Sequence, residues 1–246
     1  MRSKRRIFIE EIDGDSAIPG IEQSRHLLNV LRLKVGDIVD VFDGKGGLRE
    51  ARLAVAEKGR AEVVFTGPKQ IRERPVPWIS LAVVPPKGQR MDTLVQMAQE
   101  IGLDELIPVI TERAVQQEFS ENRFARWKRV TVSAAKQCGA NYLVDIRPTA
   151  DLDELLKNLS GWDLRLICDA GPKSRKIREI IKEKTPQRVL LIVGPEGGFS
   201  NKEITAALNS GCAAVSLPTP VLRVETAAVF ALSALCLQFD RSIPEA

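Results

Sequence analysis

The chain has 246 residues, a formal net charge of +4, and a composition of 44% hydrophobic against 28% charged residues. This is the balance of an ordinary soluble globular protein. It excludes a disordered or fibrous chain, and the length leaves room for one large domain or two smaller ones. Cys138, Cys168, Cys212 and Cys236 are far apart, there is one histidine, and no C-x-x-C pair occurs. That pattern argues against a structural zinc site and a disulfide framework, so no metal is expected. The basic N-terminus lacks the apolar core of a signal peptide, and the longest apolar run, Ala227–Leu237, is too short to span a bilayer. A cytoplasmic protein without a membrane segment is expected.

In chain order, residues 1–66 read as short strands. Ile7–Ile12, Ile38–Phe42, Arg49–Ala56 and Ala61–Phe65 are rich in β-branched or alternating apolar residues, with turn signals at Asp43-Gly44, Gly46-Gly47 and Lys58-Gly59. Gln23–Leu31 reads as one short helix. This suggests a small β-barrel, followed by a proline-rich charged linker, Gly67–Pro77. From Trp78 onward, apolar strands alternate with helices. The strands are Ile79–Val84, Leu106–Val109, Leu164–Cys168, Val189–Val193 and Ala213–Leu217. The helices are Met91–Ile101, Asn122–Cys138, Leu152–Leu159, Ser174–Lys184, Asn201–Ser210 and Thr226–Phe239. Such alternation predicts an α/β fold with a mostly parallel sheet. The expected domains are 1–72 and 73–246. Residues 1–74 hold 15 Lys/Arg against 12 Asp/Glu, a mild basic bias that suits a nucleic-acid partner.

The most informative stretch is Arg188–Glu203, RVLLIVGPEGGFSNKE. A buried strand runs into a glycine turn, and Ser200 and Glu203 form an S-x-x-E capping box opening a helix. This layout brings backbone close to a ligand at the carboxyl end of a strand. Gly194, Gly197 and Gly198 are expected where a Cβ would block approach or a positive φ is needed. The spacing is neither a P-loop nor a dinucleotide fingerprint. Alone, the motif fits a small-ligand loop or a plain tight connection equally well.

Twenty-odd residues later comes VSLPTPVLRVETAA, Val215–Ala228. The pair GPEGGFSNKEI and LRVETA, in this order, resembles the RsmE family of SPOUT-class methyltransferases. HLLNVLRLKVGD (His26–Asp37), VFDGKGG (Val41–Gly47), PPKGQRMDTLVQMAQEIG (Pro85–Gly102), IPVITERAV (Ile107–Val115) and RWKRVTVSAAKQCG (Arg126–Gly139) carry the resemblance across almost the whole chain. It implies a PUA-like N-terminal barrel for RNA and a C-terminal SPOUT trefoil-knot domain that binds S-adenosyl-L-methionine (SAM). The implied activity is methylation of N3 of one uridine in 16S rRNA of the small ribosomal subunit, by a homodimer. A SPOUT enzyme with another target and a non-catalytic assembly factor remain as alternatives.

Carried over by motif, the resemblance places the cofactor against Gly194, Pro195, Glu196, Gly197, Gly198, Leu217, Leu222, Val224 and Thr226. Thr226 is also a candidate cap for the last helix. N3 of uracil must lose its proton before it attacks a methyl group, and negative charge then spreads onto O2 and O4. Arg223 is the candidate to stabilise that charge, and Glu225 the candidate proton acceptor. Helix-end electrostatics alone would also explain Glu225. Candidate RNA contacts are Arg5, Arg6, His26, Arg32, Lys87, Arg90 and Lys136. Arg2 and Lys4 join the first two in a phosphate-binding arm or a frayed tail. The chain departs from the family where LGxR usually precedes LRxETA. Here Leu217-Pro218-Thr219-Pro220 stands instead, removing a flexible glycine and a basic residue.

Overall fold

The computed structural model describes residues 5–57, 59–114, 119–182 and 184–241. Arg2 and Lys4 lie outside them. The chain divides into two compact units, Met1–Arg74 with Val132–Leu143, and Pro75–Thr131 with Val144–Ala246.

The first unit carries β1 (Arg6–Phe8), β2 (Ser16–Ala17), α1 (Ile21–Arg25), β3 (Ile38–Phe42), β4 (Gly47–Glu57), β5 (Arg60–Phe65) and β6 (Gln70–Ile71). The sheet order is β1-β3-β4-β5-β2, with β6 also paired to β4. β1 runs parallel to β3 and every other pair is antiparallel. Inward residues of alternating strands, Val39, Val41, Leu53 and Val63, close over Ile7, Ile12 and Leu27 as one core. Three local expectations change. The first strand stops at Phe8, although Ile12 is still buried. The expected linker contributes β6, because Gln70 and Ile71 satisfy their backbone on β4. The expected Gln23–Leu31 helix is α1 followed by a π-turn over His26–Val30, with Leu31 N–H bonded to His26 O at 2.9 Å. Arg32 then adopts φ 52°, a left-handed conformation that turns the chain. Leu27 and Leu33, on either side of it, both enter the core.

The second unit is a parallel sheet with helices on both faces. Its strands are β7 (Trp78–Val83), β8 (Glu105–Ile110), β9 (Asp145–Ile146), β10 (Ala150–Asp151), β11 (Leu164–Cys168), β12 (Arg175–Lys176), β13 (Arg188–Val193) and β14 (Ala213–Ser216). The order is β10-β8-β7-β13-β11-β14-β12, with β9 on β8, and all pairs are parallel. Central β13 buries five consecutive residues, as an unbroken apolar run in a two-sided sheet should. Its side chains alternate between two cores. Val189, Leu191 and Val193 pack with α2 (Arg90–Ile101), α5 (Ile177–Ile181), α7 (Val224–Gln238) and Trp127 of α3 (Glu121–Cys138). Leu190 and Ile192 pack with α4 (Leu152–Lys157) and α6 (Asn201–Asn209). The α/β reading with a mostly parallel sheet is therefore the observed one. The expected Ser174–Lys184 helix is shorter, since Arg175 and Lys176 first pair with the β14 edge.

A cavity at the carboxyl ends of three parallel strands

β11, β13 and β14 end side by side, and the loops leaving them wall a cavity of about 190 Å³. From β13 come Val193, Gly194, Pro195, Gly198 and Phe199. From the segment after β14 come Leu217, Thr219, Leu222 and Val224, and from β11 Cys168 and Asp169. The wall is mainly apolar, with backbone polar groups between, as a slot for a flat heteroaromatic ligand should be.

The glycine loop is held from several sides. Gly198 N–H donates to Pro195 O at 2.9 Å, and Gly198 sits at φ +66°, where an L side chain is strained. Gly194 lies under the Phe199 ring, and a Cβ there would fall 2.8 Å from it. Gly197 meets neither condition, so the expected steric need holds for two of the three glycines. The capping box is present: Glu203 N–H donates to Ser200 Oγ at 3.3 Å, and Ser200 N–H to Glu203 Oε2 at 2.7 Å. The other oxygen of Glu203 accepts from Glu112 N–H at 2.8 Å, which ties α6 to the chain beyond β8. Arg113 Nη1 donates to Gly197 O at 2.8 Å and to Phe199 O at 3.2 Å.

The second loop is built differently. Its one internal backbone bond runs from Thr219 N–H to Leu217 O at 2.8 Å. Thr219 Oγ1 is buried with no hydrogen-bond partner among the described residues, and Val221 is 91% exposed. Pro218 and Pro220 stiffen the loop without adding donors. Helix α7 begins at Val224, with Arg223 as N-cap residue making no side-chain cap. Thr226 lies inside the helix and does not cap it.

Among the expected cofactor residues, Gly194, Pro195, Gly198, Leu217, Leu222 and Val224 line the cavity, whereas Glu196, Gly197 and Thr226 stand outside its wall. Glu196 instead pairs with Arg90, Nη1 to Oε1 at 2.8 Å. The same Arg90 Nη1 lies 3.8 Å from Glu225 Oε2, a buried oxygen with no hydrogen bond among the described residues. Arg90, read from the sequence as an RNA contact, is thus a bridge between two acids beside the cavity. Arg223 is exposed at the mouth of α7. Sequence reasoning missed the β11 end altogether. There Asp169 accepts from Gly171 N–H at 3.0 Å and Ser174 Oγ at 3.2 Å, shaping the third wall. Burial pushes the neighbouring Cys168 thiol up to about 12, so it stays protonated at neutral pH. The D-A-G turn signal (Asp169–Gly171) was available in the sequence.

The other expected RNA residues scatter. Arg5 is exposed and pairs with Asp37 at 3.2 Å. Arg6 is structural: it donates to Ala140 O at 2.9 Å and Asn141 Oδ1 at 2.6 Å, and stacks over Phe42. Burial lowers its pKa. His26 and Lys136 are neighbours in the first unit. Burial lowers both pKa values, and the Lys136 charge adds to the effect on His26. Lys136 Nζ reaches Gln23 Oε1 at 3.5 Å. Arg32 and Lys87 are exposed. Among the described residues no group of three metal-ligating side chains occurs, and no helix is long and apolar enough to cross a membrane.

Residues 72–236 match the family model described as RNA methyltransferase domain, and residues 18–66 match RNA methyltransferase PUA domain. A Ribosomal RNA small subunit methyltransferase E from Synechocystis sp. is 32% identical over 86% of this chain and 69% of its own. Its namesake from Bacillus subtilis is 26% identical over 89% of each. Two solved structures superpose with TM-score 0.84 at 30% identity, covering 95% of this chain and 97% of theirs. One is a methyltransferase from Legionella pneumophila in complex with SAM, the other a Ribosomal RNA small subunit methyltransferase E from Neisseria gonorrhoeae bound to SAM. With both domain models matched and these relatives spanning most of its length, the chain belongs to the RsmE family of RNA methyltransferases.

Proposed function

We propose that this protein transfers a methyl group from SAM to N3 of a uridine in 16S rRNA of the small ribosomal subunit. The observation that carries the reading is the cavity at the ends of β11, β13 and β14, in a chain of this family. Its residues fit the cofactor. Leu217, Leu222, Val193 and Val224 offer an apolar slot, Gly194 and Gly198 keep backbone accessible, and Thr219 Oγ1 is a buried hydroxyl with no partner among the described residues. Bound there, SAM supplies an electrophilic methyl on sulfonium sulfur.

The remaining work belongs to side chains at the start of α7. We assign Arg223 to the uracil carbonyls: exposed between the cavity-lining Leu222 and Val224, its guanidinium can stabilise charge on O2 and O4 as N3 loses its proton. We assign the proton to Glu225, whose Oε2 accepts no hydrogen bond among the described residues and lies 3.8 Å from Arg90 Nη1. Deprotonated in this way, N3 would present its lone pair to the methyl group that SAM supplies when bound. Aromatic residues are 5% of the chain, too few for a multi-base stacking platform, so RNA shape and a flipped target base carry recognition. We place the protein in the bacterial cytoplasm as a homodimer. The α7 surface, where Phe230 and Leu237 are 39% and 86% exposed, is the assigned contact.

The test is transfer from labelled SAM to unmodified small subunits, followed by nucleoside mass analysis. 3-Methyluridine is the expected product. A ribose-methylated nucleoside would move the target while keeping the cofactor, and absence of transfer with intact RNA binding would leave an assembly factor.

A further inference from the structure

The basic charge of the second unit is concentrated in one place that the reaction does not use. The run Lys173–Lys184, KSRKIREIIKEK, holds six Lys/Arg against two Asp/Glu, a surplus equal to the whole chain's +4. Within it lie β12 (Arg175–Lys176), the edge strand of the sheet, and α5 (Ile177–Ile181), the short helix that follows. Arg175, Lys176, Arg178, Lys182 and Lys184 are all exposed. Among the described residues, no carboxylate lies within ion-pair range of Arg175, Lys182 or Lys184.

Arg175, Lys182 and Lys184 join Arg165 around a basin of about 560 Å³ floored by Gly211 and Ala213. The two acids on its rim offset only half of this charge. Asp163 accepts from Gln187 and Arg188 N–H at 2.8 Å each, which holds it ionised. Among the described residues, Asp163 and Glu179 therefore stand against four cations. Arg165 is preset: its Nε donates to Trp162 O at 2.8 Å and Nη1 to Ser210 O at 3.3 Å, which fixes the guanidinium plane.

The basin and the cavity share a strand. Ala213 floors the basin, while Val215 and Ser216 wall the cavity, a step of about 7 Å along β14. Arg175 pairs in register with Val215, at the cavity end. From there to the level of Asp163, five residues back from Cys168 on β11, is about 16 Å. A row of unpaired cations leading from a reaction cavity is what a polyanionic strand requires.

We propose that the β12–α5 edge is an RNA docking track. Arg175, Lys182, Lys184 and Arg165 hold phosphodiesters of the strand flanking the target nucleotide. The inference rests on the RNA methyltransferase reading above and adds a site to it.

The test uses the full chain with Arg175→Gln, Lys182→Gln and Lys184→Gln combined, against wild type. Binding to unmodified small-subunit rRNA is measured across a salt series, together with KM for small subunits. Three lost contacts should reduce the slope of log affinity against log salt by about 2, from roughly 0.7 per single-strand phosphate. KM should rise by about tenfold at ~150 mM salt, with SAM affinity and Tm at wild-type values. Lys182→Arg with Lys184→Arg should retain the wild-type slope. An unchanged slope in the triple variant overturns the proposal. So does a loss seen only with assembled subunits and not with naked rRNA, which would make the partner a protein. If wild type transfers no methyl group, the functional reading fails, yet the salt slopes still decide the track.

Discussion

The two loops that face each other across the cavity solve the same problem in opposite ways. The glycine loop after β13 is held by the protein itself: Arg113 grips two of its carbonyls, the Glu203 carboxylate spans two elements, and Gly194 sits beneath Phe199. The loop after β14 is stiffened covalently by Pro218 and Pro220, yet leaves Thr219 Oγ1 without a partner among the described residues and Val221 exposed. One loop is complete without a ligand. The other holds an unused donor and leads directly into Arg223 and Glu225. Preorganisation thus lies on one side, and the groups we assign to ligand and reaction lie on the other.

Arg223→Ala should have the largest effect. Methyl transfer should fall by about 10²–10³-fold, as when a charge-stabilising donor is removed, while calorimetric SAM affinity stays within about twofold. Parallel loss of SAM binding would make Arg223 part of the cavity frame. Next comes Gly194→Val, which drives a branched side chain into Phe199 and should destabilise the fold by about 1–3 kcal/mol. A denaturant midpoint equal to wild type would show that the glycine loop yields. Thr219→Val, on the opposite loop, should leave the free protein as stable or slightly more so, because a buried unsatisfied hydroxyl is removed. SAM affinity should fall by about five- to tenfold, and unchanged affinity would mean the hydroxyl serves nothing. Arg113→Ala should cost about 1 kcal/mol, the value of its exposed hydrogen bonds, with a few-fold weaker SAM binding and unchanged chemistry at saturation.

The smallest effect concerns the third wall. The Cys168 thiol is pushed up to about 12 from 9.0, so the folded state keeps its proton where the unfolded chain releases it. Its stabilising contribution is complete below pH 9 and declines as pH rises from 9 towards 12. Thermal melts between pH 8 and 10 should show a steeper decline for wild type than for Cys168→Ala. Equal slopes would mean the thiol is solvated.

The strand–glycine loop–helix unit was legible because all its signals are local. Five apolar residues make a two-sided strand, Gly198 takes a conformation that L residues avoid, and Ser200 with Glu203 satisfy one helix end within four residues. The family pattern then pointed to the loop after β14. What could not be read was everything that reaches across the chain. Arg113 grips Gly197 from 84 residues away, and Arg90 meets Glu196 across 106. The Asp169 turn matters only because β11 lies between β13 and β14. The same limit hid the partners of Arg6, whose arm-like position in a basic N-terminus gives no sign of Ala140 and Asn141.

Local patterning, then, determined which segments become strands and helices, and which loops are shaped for a ligand, because propensity, capping and glycine conformation act within a few residues. Tertiary structure alone decided which charges are consumed and which are free. The Arg6 and Arg90 guanidiniums are taken by distant partners, while Arg175, Lys182 and Lys184 find no ion-pair partner among the described residues. Charges interact through space, and the spacing between them is set by strand order, not by position in the chain.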